Sequence, residues 1–137
     1  MWKWYALLAA FFAALTAILA KLGVKGIESN LATAIRTAVV LVMIWSIVAA
    51  SGQLAGLRTL TKTNYLFLIL SGIATGLSWI FYFQALQSGP VSKIAPIDKL
   101  SVAIVIVLSA LILKEPLDAK VIIGGLLIVA GTVVMLL

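Results

Sequence analysis

The chain has no cysteine and no histidine. Without cysteine there are no disulfides, no iron–sulfur ligation and no thiolate chemistry. Without histidine it lacks the commonest metal ligand and the usual general base at neutral pH. Acid is scarce as well: Glu28, Asp98, Glu115 and Asp118 are the only carboxylate side chains. Metal-assisted hydrolysis and catalytic triads are left without their parts, so neither an enzyme nor a bound metal or cofactor is expected.

Charge of both signs is sparse. Charged residues make up 10% of the 137 positions and hydrophobic ones 64%, with a mean hydropathy of +1.26. A soluble domain carries about 25% charge and at this length buries only about two-thirds of its unfolded surface. So much apolar surface has nowhere to go in water. The composition predicts an all-α polytopic membrane protein with the lipid bilayer as its main partner.

The ten basic residues, which set the net charge of +6, stand singly or in pairs between apolar blocks rather than in a stripe. That arrangement excludes nucleic acid as a partner and fits the punctuation of membrane spans. Charge-free runs cover Trp4–Ala20, Thr37–Leu57, Thr63–Ser92, Leu100–Leu113 and Val121–Leu137. A spanning helix takes about 20 residues, which predicts five transmembrane helices near 3–22, 31–51, 64–87, 92–113 and 118–137. Turn formers fill the gaps: Gly23 and Gly26, Ser51-Gly52, Ser88-Gly89-Pro90 and Glu115-Pro116. A single membrane domain over 1–137 is expected, with no domain outside the bilayer. Lys3 ahead of an apolar run imitates a signal peptide, but the run is longer than a typical h-region and is expected to stay as the first span. Trp2, Trp4 and Tyr5 suit an interfacial aromatic belt at its start.

Five spans put the termini on opposite sides. The N-terminal side holds Lys3, Arg58, Lys62, Lys114 and Lys120; the other side holds Lys21, Lys25 and Lys93, with Arg36 and Lys99 just inside spans that start there. The bias favours a cytoplasmic N-terminus in a cell inner membrane, and so small a bias equally fits insertion in both orientations.

Small residues recur on single helical faces. Ala6, Ala10, Ala13, Ala17 and Ala20 line one face of span one, Gly72 and Gly76 form a GxxxG pair in span three, and Gly124 and Gly131 share a face of span five. These are packing seams, where small side chains let helices approach closely in lipid. Span three also carries Ser71, Thr75, Ser78 and Tyr82 at helical spacing, with Trp79 and Phe83 on the adjoining face. Such a stripe is either a protein-packed face or the wall of a substrate path. Three charges lie well inside spans, Arg36, Asp98 and Lys99, all about 8–10 Å in at 1.5 Å per residue. An Arg36–Asp98 pair is the expected contact. Ionisable groups at such depth mark pathways or proton relays, although lysine and arginine also reach back to the interface. Pro96 is expected to kink span four or delay its regular start, freeing carbonyls near Asp98. Lys114, Glu115, Pro116 and Asp118 read as the end and start of consecutive helices.

Two segments, "FFAALTAILAKLGVKGIESNLATAIRT" and "LSGIATGLSWIFYFQALQSGPVSKIAPIDKLSVAIVIVLSALILKEPLDAKVIIGGLLIVAGTVVML", carry a family likeness. The chain resembles a single EamA-type domain, one repeat of the drug/metabolite transporter superfamily, in its short five-helix bacterial and archaeal branch. The likeness covers essentially the whole chain. It implies a helical fold in which full-length relatives pair two such repeats in opposite orientation, with the substrate path through the first four helices of each. One repeat alone then implies a homodimer, antiparallel if it copies that architecture; a parallel dimer or another protein partner is the alternative. The four-helix small multidrug resistance relatives use a Glu in their first helix as the cation site, and span one here has no acid. Asp98 is left as the proton-coupling candidate.

The resemblance thus implies a secondary transporter, an exporter of small metabolites or drugs working by alternating access. The expected substrate-lining residues are Thr16, Arg36, Ser71, Thr75, Ser78, Trp79, Tyr82 and Asp98. The alternatives are a non-transporting membrane subunit and a component that flips lipid-linked substrates.

Overall fold

The computed structural model describes residues 1–137 as helices joined by short loops. The helices are α1 (Trp2–Gly23), α2 (Ser29–Ala50), α3 (Lys62–Ser88), α4 (Val91–Asp98), α5 (Leu100–Ile112) and α6 (Ala119–Leu136). With α4 and α5 taken as one broken helix, five helices are long and apolar enough to cross a membrane. Each coincides closely with one apolar run, because in hydrocarbon every backbone N–H and C=O must be satisfied within the segment.

The outer surface fits that solvent. Phe67, Val42 and Leu127 are each about two-thirds exposed (65%, 65% and 68%), and most other large apolar side chains are exposed too. In water such a surface drives aggregation; against lipid tails or another apolar chain it carries no such penalty.

The chain divides into two units, residues 19–87 and residues 1–18 with 88–137. In the second of these, α4 and α5 both pack on α6. The close approach is at Gly125, where an added Cβ would lie 2.8 Å from Ile106 Cδ1. The sequence had pointed one residue earlier. At Gly124 and Gly131, as at Gly72 and Gly76, an added Cβ meets nothing of this chain within 4 Å. Adjacent residues differ by about 100° around a helix, so only one of Gly124 and Gly125 can face α5.

The fourth span breaks between α4 and α5 at Lys99, three residues beyond Pro96. The local bonds tighten there: the Lys99 N–H donates to the Pro96 carbonyl and the Val102 N–H to the Lys99 carbonyl, both at 3.0 Å. These are 3-10-type spacings. The Pro96 carbonyl also faces the Thr132 hydroxyl of α6 at 3.3 Å, and Thr132 is only 3% exposed. That carbonyl is therefore met by two donors. Two residues beyond the end of α5, Lys114 takes the left-handed conformation at φ 54°, and the Glu115 N–H turns back to the Ser109 carbonyl at 3.2 Å. Asp118 occupies the cap position of α6 without a side-chain cap bond.

In residues 19–87, α2 leads through Gly52 (φ 71°) into a 3-10 segment, Gln53–Thr59, which packs back on α2. Thr61 then caps α3: its hydroxyl accepts from the Asn64 N–H at 3.2 Å and lies 2.7 Å from Asn64 Oδ1. At the other end of α3, Gln87 fastens the α1–α2 loop. Its amide donates to the Ile27 carbonyl at 2.5 Å and reaches the Val24 carbonyl at 3.4 Å. The Lys21 ammonium donates to the Leu86 carbonyl in the last turn of α3, where a cation opposes the negative end of the helix dipole. Leu86 is fully buried.

Candidate functional site

The most distinctive polar feature is Arg36. It lies seven residues into α2, about 10 Å from the start of that helix. Below it on the same face, Ser29 and Thr33 are buried, and their hydroxyl chemistry is local. Thr33 donates to the Ser29 carbonyl at 2.9 Å and Thr37 to the Thr33 carbonyl at 2.7 Å. Back-bonding of this kind satisfies hydroxyls without another helix.

The Arg36 guanidinium carbon stands 4.2 Å from the centre of the Trp79 ring and 5.5 Å from that of Phe83. Trp79 and Phe83 are four residues apart on α3 and so share a face. Phe83 is 2% exposed and Trp79 half-buried. Tyr82 is near enough to interact electrostatically with the guanidinium. Arg36 thus has an aromatic bed in place of a carboxylate. Phe83 was not among the expected site residues; its i, i+4 relation to Trp79 was the signal that identifies it.

The remaining lining residues are arranged differently. Ser71, Thr75 and Ser78 are exposed along α3, with the Thr75 hydroxyl donating to the Ser71 carbonyl at 2.9 Å. Thr16 is half-buried and donates to the Phe12 carbonyl at 2.8 Å. In the α1 seam, Ala17 is buried while Ala10 and Ala13 are exposed. Asp98, in the other unit, pairs with its neighbour Lys99 at 3.3 Å. Adjacent side chains do not face each other on a regular helix; the break at Lys99 is what brings these two together. The Arg36–Asp98 pair expected from the sequence draws on both units, and the partners described for each group lie within its own. No group of three or more metal-ligating side chains converges.

A guanidinium held over an aromatic ring keeps N–H donors that the ring does not take up. They form a planar fork matched to a carboxylate or phosphate. A charge at the centre of a spanning helix costs about 2.5–3.5 kcal/mol, an upper bound for Arg36 nearer the helix start, and a ring face beneath the cation returns about 0.5–2 kcal/mol. The balance favours an anion at those donors or a reach toward the interface.

The family model described as the EamA-like transporter family matches residues 1–137. A protein of a Sinorhizobium species, described as an uncharacterized transporter in the cobO 3' region, is 46% identical over 134 residues, covering 98% of this chain and 95% of that protein. No solved structure matches.

Proposed function

Because this chain belongs to the EamA-like transporter family, and is a multi-pass membrane protein rather than an enzyme, we propose that it exports a small metabolite or drug bearing a carboxylate or phosphate. The observation that carries this reading is the Arg36 guanidinium held over the Trp79 ring within membrane-spanning helices. Arg36 holds the anionic group; Trp79 and Tyr82 contact the rest of the substrate; Thr16, Ser71, Thr75, Ser78 and Asp98 contribute polar contacts along the path. Transport runs by alternating access in the inner membrane.

The working unit in this proposal is a homodimer, two copies in opposite orientations. The near-even division of basic residues supports it, as does the open space at Gly72, Gly76, Gly124 and Gly131, which leaves room for a second helix. The cysteine-free sequence allows single-cysteine labelling without background. Cysteines placed at either terminus are expected to label from both sides of the membrane; labelling from one side only removes the antiparallel dimer.

Counterflow in proteoliposomes, screened with labelled organic acids, amino acids and phosphate esters, tests the transport reading. Exchange of an anionic metabolite is expected. If nothing moves under any ion gradient, the alternative of a non-transporting subunit takes its place.

A further inference from the structure

A second basic feature lies where α1 ends and α3 ends, at the boundary opposite the N-terminus. Lys21, Val24, Lys25, Gly26, Leu86 and Gln87 enclose a recess of about 290 Å3. We infer that this recess binds an anionic phosphate or carboxylate group, gripped by Lys21 and Lys25. It shares no lining residue with the Arg36 site and does not rest on the transport reading.

The lining has two cations and no acid. Glu28 is three residues beyond Lys25, yet Lys25 forms neither a hydrogen bond nor an ion pair with it. Val24 and Leu86 close the base of the recess, at 4% and 0% exposure, Leu86 through the carbonyl that accepts from Lys21. Two lysines with no acid among the lining residues match an anionic group.

The recess is built rather than incidental to a loose loop. Gln87 bonds to the carbonyls of Ile27 and Val24, and Lys21 to that of Leu86. These bonds tie both ends of the α1–α2 loop to α3. Gly26 makes the turn at φ 75°, a conformation that other residues adopt at a cost. The two lysines are four apart in sequence, and the loop bonds hold them on one recess before any ligand arrives. Preorganisation of this kind reduces the ordering cost of binding.

Position sets where the ligand comes from. Lys21 ends a membrane-spanning helix, at the depth of lipid headgroups, where basic recesses attract anionic lipid. A soluble phosphate or carboxylate offers the same chemistry from the water side.

The test uses the full chain in detergent, titrated with phosphatidylglycerol or phosphatidylcholine and read by native mass spectrometry. A parallel arm measures binding of inorganic phosphate by calorimetry. Lys25→Gln is the informative variant, because Lys25 is exposed and takes no part in the loop bonds. Lys93→Gln, outside the recess, is the control. Tighter binding of phosphatidylglycerol than of phosphatidylcholine, weakened about fivefold by Lys25→Gln, unaffected by Lys93→Gln and restored by Lys25→Arg, supports the site with lipid as its source. The same pattern confined to inorganic phosphate supports it with a soluble source. Absence of anion binding in both arms, or equal binding by wild type and Lys25→Gln, overturns it.

Discussion

The Arg36 guanidinium on α2 stands over the Trp79 ring on α3, its carbon 4.2 Å from the ring centre, with Phe83 one turn along at 5.5 Å. A buried-side aromatic pair thereby replaces the acidic partner that the composition withholds. Trp79→Leu keeps apolar volume and removes the ring quadrupole. Thermal unfolding in detergent, run as a double-mutant cycle with Arg36→Met, is expected to give a coupling of about 0.5–2 kcal/mol. A coupling indistinguishable from zero means that the two side chains are neighbours without being partners.

Gly125 and Ile106 make a contact with no spare room. Gly125→Ala places its methyl 2.8 Å from the Ile106 Cδ1, which is the flexible end of a side chain and can turn aside. Gly125→Val cannot be accommodated so easily and is expected to cost about 1–3 kcal/mol. Ile106→Ala should recover most of that loss. Gly124→Ala, one residue away and facing open space, is expected to leave the unfolding temperature of the single chain unchanged.

The broken fourth span depends on a hydroxyl in the fifth. Thr132 donates either to its own helix at Ile128 (2.8 Å) or to the Pro96 carbonyl (3.3 Å). Thr132→Val preserves shape and leaves the Pro96 carbonyl to the Lys99 N–H alone. A stability loss of about 0.6 kcal/mol is expected, the average for a polar contact between membrane helices. Amide exchange at residues 99–102 should also change, since the Pro96 carbonyl loses one of its two donors. Identical exchange in wild type and variant would show that Pro96 alone sets the break.

Asp98 sits at that break, with its side chain 39% exposed and paired to Lys99. It is the only acid in the interior of an expected span, Asp118 standing at the first residue of the fifth. If transport is coupled to protons, Asp98→Asn removes the group that carries them. Uptake by the wild type is expected to follow an imposed pH gradient, and uptake by Asp98→Asn to ignore it. An equal response in both takes Asp98 out of the mechanism.

Long-range features of the fold were legible because one physical signal governs them. An apolar run of about 20 residues has a single low-energy state in hydrocarbon, so the five helices follow from the spacing of the charges. Finer features depended on contacts between distant positions. The break at Lys99 involves Thr132, 33 residues later in sequence, and Pro96 by itself indicates a kink nearer its own turn. Which of Gly124 and Gly125 meets α5 depends on the rotation of α6, which a run of apolar residues on all sides does not encode. The 3-10 segment Gln53–Thr59 and the capping residue Thr61 fall in the gap between the second and third expected spans. The cap had a visible signature, a threonine three residues before an asparagine at a helix start. For the candidate site, charge depth singled out Arg36, while its place over Trp79 and Phe83 needed the separation between α2 and α3.

The most direct measurement is counterflow of an anionic metabolite into proteoliposomes containing wild type, Arg36→Lys or Arg36→Gln. The account predicts robust exchange by the wild type and a reduced apparent affinity in Arg36→Lys, which keeps the charge but loses the planar fork. It predicts a loss of at least about tenfold in Arg36→Gln, corresponding to about 1.4 kcal/mol of substrate binding, with the protein still folded. Undiminished exchange by folded Arg36→Gln would contradict it.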